Sequence, residues 1–65
     1  MPSTVVRHFE YDPGARALVV TFVGGRRYRY AEVPPDVAED FRSAVAKGRF
    51  FNARIRDRYA CAEIA

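Results

Sequence analysis

The sequence predicts a small α+β fold in which a three-stranded antiparallel β-meander packs against one α-helix, followed by a short second helix. Apolar and polar side chains alternate through the first half of the chain, between turns rich in glycine and proline. In the second half, apolar residues recur at the three- and four-residue spacing of an amphipathic helix. A chain of 65 residues is expected to form a single domain, 1–65.

Three alternating segments, 5–11, 17–22 and 26–31, are expected to be the strands of the meander. The first connection contains Pro13 and Gly14. Proline presets the backbone for a turn and glycine tolerates a positive φ, so a turn is predicted there.

The turn at Gly24-Gly25 decides which face of the sheet each side chain occupies. A two-residue loop would place arginines beside the apolar stripe. A three-residue loop with Gly25 in the left-handed conformation pairs Val20 with Tyr28. We favour the three-residue loop because a slip of one residue moves every side chain to the opposite face. One face then carries Leu18, Val20, Phe22, Tyr28 and Tyr30, and the other carries Val19, Thr21, Arg27 and Arg29.

The first helix is expected to begin after Val33, because Pro34 and Pro35 suit a first helical turn. Its apolar stripe consists of Val37, Ala38, Phe41, Ala44 and Val45, and Lys47-Gly48 is expected to end it. Residues 49–59 carry Phe51, Ile55 and Tyr59 at a spacing of four, which predicts the second helix. The tail, 60–65, is expected to fray.

Basic residues are concentrated in two short segments, although the net charge is only +3. Three arginines lie within 26–29, and Lys47 with four arginines lies within 47–58. Carboxylates predominate in 30–46. The distribution of charge therefore indicates an anionic partner more clearly than the net value does.

The stability of so short a chain is finely balanced. Burial of apolar surface contributes on the order of 95 kcal/mol. The conformational entropy lost on ordering the chain opposes it by about 100 kcal/mol. The fold must therefore be packed efficiently or share its core with a second copy.

The sequence lacks the clustered residues that catalysis or metal binding requires. His8 and Cys61 are the single histidine and the single cysteine, so neither a metal-ligand set nor an intramolecular disulfide is expected. We predict no enzyme activity and no cofactor. The single cysteine, the charged N-terminal segment and the short apolar run 17–23 indicate a cytoplasmic protein without a membrane span.

Several spaced motifs together resemble the KTSC domain. These are Phe9-x-Tyr11-Asp12-Pro13, Leu18-x-Val20-x-Phe22, Gly25, Tyr28-x-Tyr30, Val33-Pro34 and Lys47-Gly48-Arg49-Phe50-Phe51-Asn52-x-x-Ile55-Arg56-x-x-Tyr59. The family is named for a domain at the C-terminus of some lysyl-tRNA synthetases and includes short stand-alone bacterial proteins. The resemblance covers about 5–59 and implies no established activity and no catalytic residues. Its synthetase context suggests RNA.

We therefore expect a non-catalytic nucleic-acid-binding module, with RNA the favoured ligand. Arginine donates paired hydrogen bonds to phosphate, and aromatic rings stack on bases. The predicted binding residues are Arg27, Tyr28, Arg29, Tyr30, Lys47, Arg49, Asn52, Arg54 and Arg56. Lys47, Arg49, Asn52 and Arg56 are expected around the start of the second helix, where free N–H groups favour an anion. The alternative is a protein-interaction or homodimerisation module that uses the sheet face bearing Val19.

Overall fold

The computed structural model describes residues 6–64 and contains a four-stranded antiparallel sheet with two helices. The strands are β1 (Val6–Asp12), β2 (Ala17–Phe22), β3 (Arg27–Tyr30) and β4 (Cys61–Ile64), in that order across the sheet. The first helix is α1 (Pro35–Ser43). The second helix begins as α2 (Lys47–Phe50) and continues directly into a π-helical segment, Phe51–Ile55.

The predicted meander and its register are confirmed. Val20 pairs with Tyr28 and Leu18 pairs with Tyr30 across β2 and β3. Gly25 has a φ of 93°, and its N–H donates to the Phe22 carbonyl over 2.8 Å. Glycine accepts this left-handed backbone without the clash that a Cβ would cause.

β1 joins the same core face. Phe9 pairs with Val20, and Tyr11 pairs with Leu18. A bulge between Val6 and His8 shifts the register, so Val6 lies opposite Phe22. The bulge lets Val6 pack against the core although it is an odd number of residues from Phe9. Val5, which the sequence placed on this face, lies outside the described residues.

The expectation of three strands and a frayed tail is wrong for Cys61–Ile64, which form β4. Cys61 pairs with Tyr30 and Ala62 pairs with Arg29. The Ala31 N–H also donates to the Ala60 carbonyl over 2.9 Å. This pairing satisfies the outward N–H and C=O groups of β3 through contacts between segments distant in the sequence, which local periodicity does not reveal.

The first helix ends earlier than its apolar stripe predicts. Ala44 is already extended, with a ψ of 136°, and Val45 is fully exposed rather than part of the stripe. Lys47 lies beyond α1, but its Nζ donates to the carbonyls of Arg42 (3.0 Å) and Ala44. The lysine thus satisfies carbonyls at the helix C-terminus, as a last-turn cation would.

The second helix occupies 47–55 instead of the predicted 49–59. Phe51 and Ile55 are buried as the spacing predicts. Arg56 has a ψ of 133° and Asp57 a φ of 65°, so the chain leaves the helix before Tyr59. The interval of four that included Tyr59 therefore does not reflect a continuous helix.

Both helices cover one face of the sheet, and the core lies between the helices and that face. The Phe41 ring of α1 stacks on Phe9 (centroids 4.3 Å apart) and on Phe50 (5.5 Å). Phe51 meets Tyr30 edge-on at 5.5 Å. No helix within residues 6–64 is long and apolar enough to cross a membrane.

Among the described residues, no helix covers the opposite face of the sheet, and we call it the open face. The pairing places one row of side chains on it from His8 through Thr21 to Arg27, and a second row from Glu10 through Val19 to Arg29. Ala62 and Ile64 extend these rows onto β4.

Candidate functional site

A cleft of about 350 Å³ opens between the second helix and the β3–β4 side of the sheet. We call it the aromatic cleft because four of its lining residues are aromatic: Phe22, Tyr28, Tyr30 and Phe51. Arg56, Asp57 and Cys61 complete the lining.

The aromatic rings are held by one another. Phe22 lies edge-on to Tyr28 (5.8 Å between centroids) and to Phe51 (5.2 Å). Tyr30 is only 5% exposed, whereas Tyr28 is half-buried. Tyr30 therefore belongs to the packed wall of the cleft, and Tyr28 offers an accessible aromatic surface in a fixed setting.

The charged residues of the cleft come from the turn that follows the second helix. Arg56 is exposed, and its extended backbone turns the chain away from the helix. Asp57, also exposed, adopts a left-handed backbone conformation, which aspartate tolerates better than most residues. This turn brings a guanidinium and a carboxylate to the rim of an aromatic surface.

Tyr30 remains a neutral phenol at physiological pH. Burial raises the pKa of its hydroxyl group well above the ordinary value, and the nearby Cys61 raises it further. The positive charge of Arg56 acts in the opposite direction. The dominant effect is burial, which penalises the phenolate.

The structure brings three of the predicted site residues together in the cleft: Tyr28, Tyr30 and Arg56. Arg27 and Arg29 project from β3 onto the open face, on the other side of the sheet. The two arginine clusters therefore do not share one face.

The remaining predicted residues lie along the second helix. Arg49, Asn52 and Arg54 are exposed there. The Arg54 guanidinium lies 5.3 Å from the centre of the Phe50 ring. Lys47 donates to the C-terminal carbonyls of α1.

The expected grouping around the start of the second helix is not observed for Arg56. That residue follows the π-helical segment, at the opposite end of the helix from Lys47. The expectation was wrong because the helix begins at Lys47 and ends at Ile55, so the free N–H groups of its first turn lie a full helix length away.

Sequence reasoning missed four lining residues of the cleft: Phe22, Phe51, Asp57 and Cys61. The two phenylalanines were assigned to the core, and both do pack against it. Cys61 could be found only by predicting β4. Asp57 lies in a turn, whereas the spacing of Phe51, Ile55 and Tyr59 had predicted a continuous helix there.

The chain matches the KTSC domain over residues 2–59. A protein from Tsukamurella paurometabola is 39% identical over 57 residues, which cover 88% of this chain and 85% of the relative. A lysine–tRNA ligase from Nostoc punctiforme is 36% identical over 56 residues, which cover 86% of this chain but only 10% of the ligase.

The fold is also that of a solved protein. The crystal structure of a KTSC domain protein from Yersinia pestis matches with a TM-score of 0.89 and 36% sequence identity, covering 100% of this chain and 92% of that one. Sequence motifs, domain match and complete structural overlap agree, and the chain belongs to the KTSC domain family.

Proposed function

We propose that this protein is a non-catalytic cytoplasmic module that binds single-stranded RNA. One base stacks in the aromatic cleft, and Arg56 contacts an adjoining phosphate. The observation that carries the proposal is the meeting of the accessible Tyr28 ring and the Arg56 guanidinium in one cleft.

The aromatic cleft suits an unpaired base better than a duplex. Sequence-tolerant binding of single strands combines aromatic stacking, worth about 1–3 kcal/mol per base, with a positively charged path for the backbone. Tyr28 is braced by Phe22 at 5.8 Å, so its ring loses little freedom on stacking. A base inside a double helix could not reach this ring.

The arginines of the second helix and the turn after it add positive charge to that of Arg56, which favours contact with a phosphate backbone. Arg49 and Arg54 are exposed on the helix, and Arg58 is exposed in the turn after it. Arginine binds phosphate through two parallel N–H groups, which gives both attraction and orientation. The proposed RNA path is thus narrower than the one predicted from the sequence, since it leaves out Arg27 and Arg29.

The relative from Nostoc punctiforme supports RNA over DNA. Its name states that it ligates lysine to tRNA, and a segment of it is 36% identical to this chain. The shared segment spans 10% of the ligase.

Fluorescence anisotropy with a short labelled single-stranded RNA of mixed sequence tests the proposal. We expect Tyr28→Ala and Arg56→Ala each to weaken binding at low salt by about tenfold, the equivalent of one lost stacking or charged contact. Arg42→Ala is the matched control, because Arg42 lies on α1 beside Glu39 (3.7 Å) and away from the cleft. It is expected to change the affinity less than about twofold.

Salt dependence and a DNA probe complete the experiment. The logarithm of the wild-type association constant should fall linearly with the logarithm of salt concentration, with a slope of about −2 to −3. That slope corresponds to about three or four neutralised phosphates on a single strand. A single-stranded DNA of the same sequence should bind more weakly. Undetectable RNA binding at low salt, or equal losses in Arg42→Ala and Arg56→Ala, would contradict the proposal.

A further inference from the structure

We propose that the open face is a homodimer interface, on which a second copy of this chain stacks with its β2 against β2. This inference rests on the arrangement of charge across β1, β2 and β3 and does not depend on RNA binding. It assigns a role to Arg29, which the aromatic cleft does not use.

The central observation is the row of side chains Glu10, Val19 and Arg29. These residues are paired in register on three neighbouring strands. The three also line a wide, open depression of about 560 Å³, whose lining further includes Phe9, Tyr11 and Arg42 of α1. Adjacent strands lie about 4.8 Å apart. Glu10 on β1 and Arg29 on β3 are therefore attached to backbones about 10 Å apart, with Val19 between them.

This row is complementary to itself. A two-fold axis parallel to β2 brings β1 of one copy over β3 of the other, as an isologous contact requires. Glu10 then faces Arg29 of the second copy, and Val19 meets its own equivalent. The contact forms twice by symmetry, so each dimer gains two opposite-charge pairs around an apolar centre.

The same charges make the open face a poor site for RNA. β1 contributes Glu10 and Asp12, and β3 contributes Arg27 and Arg29, so these four residues sum to zero. A phosphate held at Arg29 would be repelled only weakly by Glu10, about one Debye length away at 0.1 M salt, but the acidic β1 gives the rest of an RNA backbone no continuous positive path across the face. A second copy presents both signs and is attracted by both.

The size of the open face is that of a weak, transient dimer contact. Four strands about 4.8 Å apart and a six-residue β2 give the face about 20 × 20 Å, or about 400 Å² per copy. This area is at the small end of specific interfaces. We expect a dimer with a dissociation constant in the micromolar range, because the contact is flat and rich in charge.

Sedimentation equilibrium over a range of protein concentrations tests the proposal through charge exchange. Glu10→Arg and Arg29→Glu should each weaken dimerisation at least about tenfold, because each creates two like-charge contacts. The double variant Glu10→Arg/Arg29→Glu should recover most of the wild-type affinity. Asp40→Arg is the matched control: it makes the same charge change as Glu10→Arg, but at an exposed position of α1.

The rescue distinguishes the interface from a loss of folding, since both single variants must fail and their combination must succeed. A monomer at every concentration, a double variant as weak as the singles, or an equal effect of Asp40→Arg would overturn the proposal. It would also be overturned if Arg29→Ala weakened RNA binding as much as Arg56→Ala, because the open face would then belong to RNA. Failure of RNA binding alone leaves the dimer result unaffected.

Discussion

Tyr30 illustrates how one side chain links the core to the candidate site. Its ring packs edge-on against Phe51 at 5.5 Å, and its hydroxyl group lies beside Cys61 and Arg56 at the cleft. Burial raises the pKa of the hydroxyl group, with a further rise caused by Cys61. The residue therefore titrates differently in the folded and unfolded chain.

This difference predicts a loss of stability in alkali. An unfolded tyrosine releases its proton near pH 10, whereas the folded Tyr30 retains it to a higher pH. The unfolded state then binds fewer protons, so the free energy of unfolding falls as the pH rises above about 10. In urea titrations between about pH 9 and 11, the free energy of unfolding of Tyr30→Phe should fall less steeply than that of the wild type. Tyr59→Phe serves as the control. Parallel curves for wild type and Tyr30→Phe would contradict this explanation.

At the scale of elements, β4 makes a specific prediction about backbone hydrogen bonds. The Ala31 N–H donates to the Ala60 carbonyl, so alternate residues of β4 point their backbone groups towards β3. Ala62 is one of these, whereas the Glu63 N–H points to the free edge. Proline lacks the donor, so Ala62→Pro should break the β3–β4 ladder and cost about 1–3 kcal/mol.

Glu63→Pro provides the matched control, because proline is tolerated where the N–H of an edge strand faces solvent. Hydrogen exchange of the Arg29 amide should accelerate in Ala62→Pro and remain near the wild-type rate in Glu63→Pro. Equal protection of Arg29 in the two variants would show that β4 does not pair as described.

The same element explains the limit of sequence-based prediction. The register of β2 and β3 could be predicted because alternation and Gly25 act over a few residues. β4 could not, because its residues are mostly small or charged and it pairs with a strand about 30 positions away in sequence. Without β4 the aromatic cleft has no wall at Cys61. Sequence patterns therefore anticipated Tyr28 and Arg56 separately but not the cleft that joins them.

At the scale of the whole molecule, the sheet separates two groups of arginines that the net charge of +3 combines. The second helix and the turn after it carry one group of arginines, and the open face carries Arg27 and Arg29 beside Glu10 and Asp12. Within the first group, Arg56 lines the aromatic cleft beside Tyr28. The two surfaces are therefore expected to bind different partners independently.

Two double variants with the same change in charge test this separation. Arg49→Ala/Arg56→Ala should lower RNA affinity at least about tenfold while dimerisation stays within about twofold of wild type, because both residues lie on the helical side of the sheet. Arg27→Ala/Arg29→Ala should weaken dimerisation at least about tenfold and leave RNA affinity within about twofold of wild type, since it removes both arginines from the open face. Each variant loses two positive charges, so long-range attraction to RNA is reduced equally and any difference reports local contact. RNA titrations and sedimentation of both proteins provide the comparison. Equal loss of RNA affinity would mean that total charge, and not the aromatic cleft, determines binding.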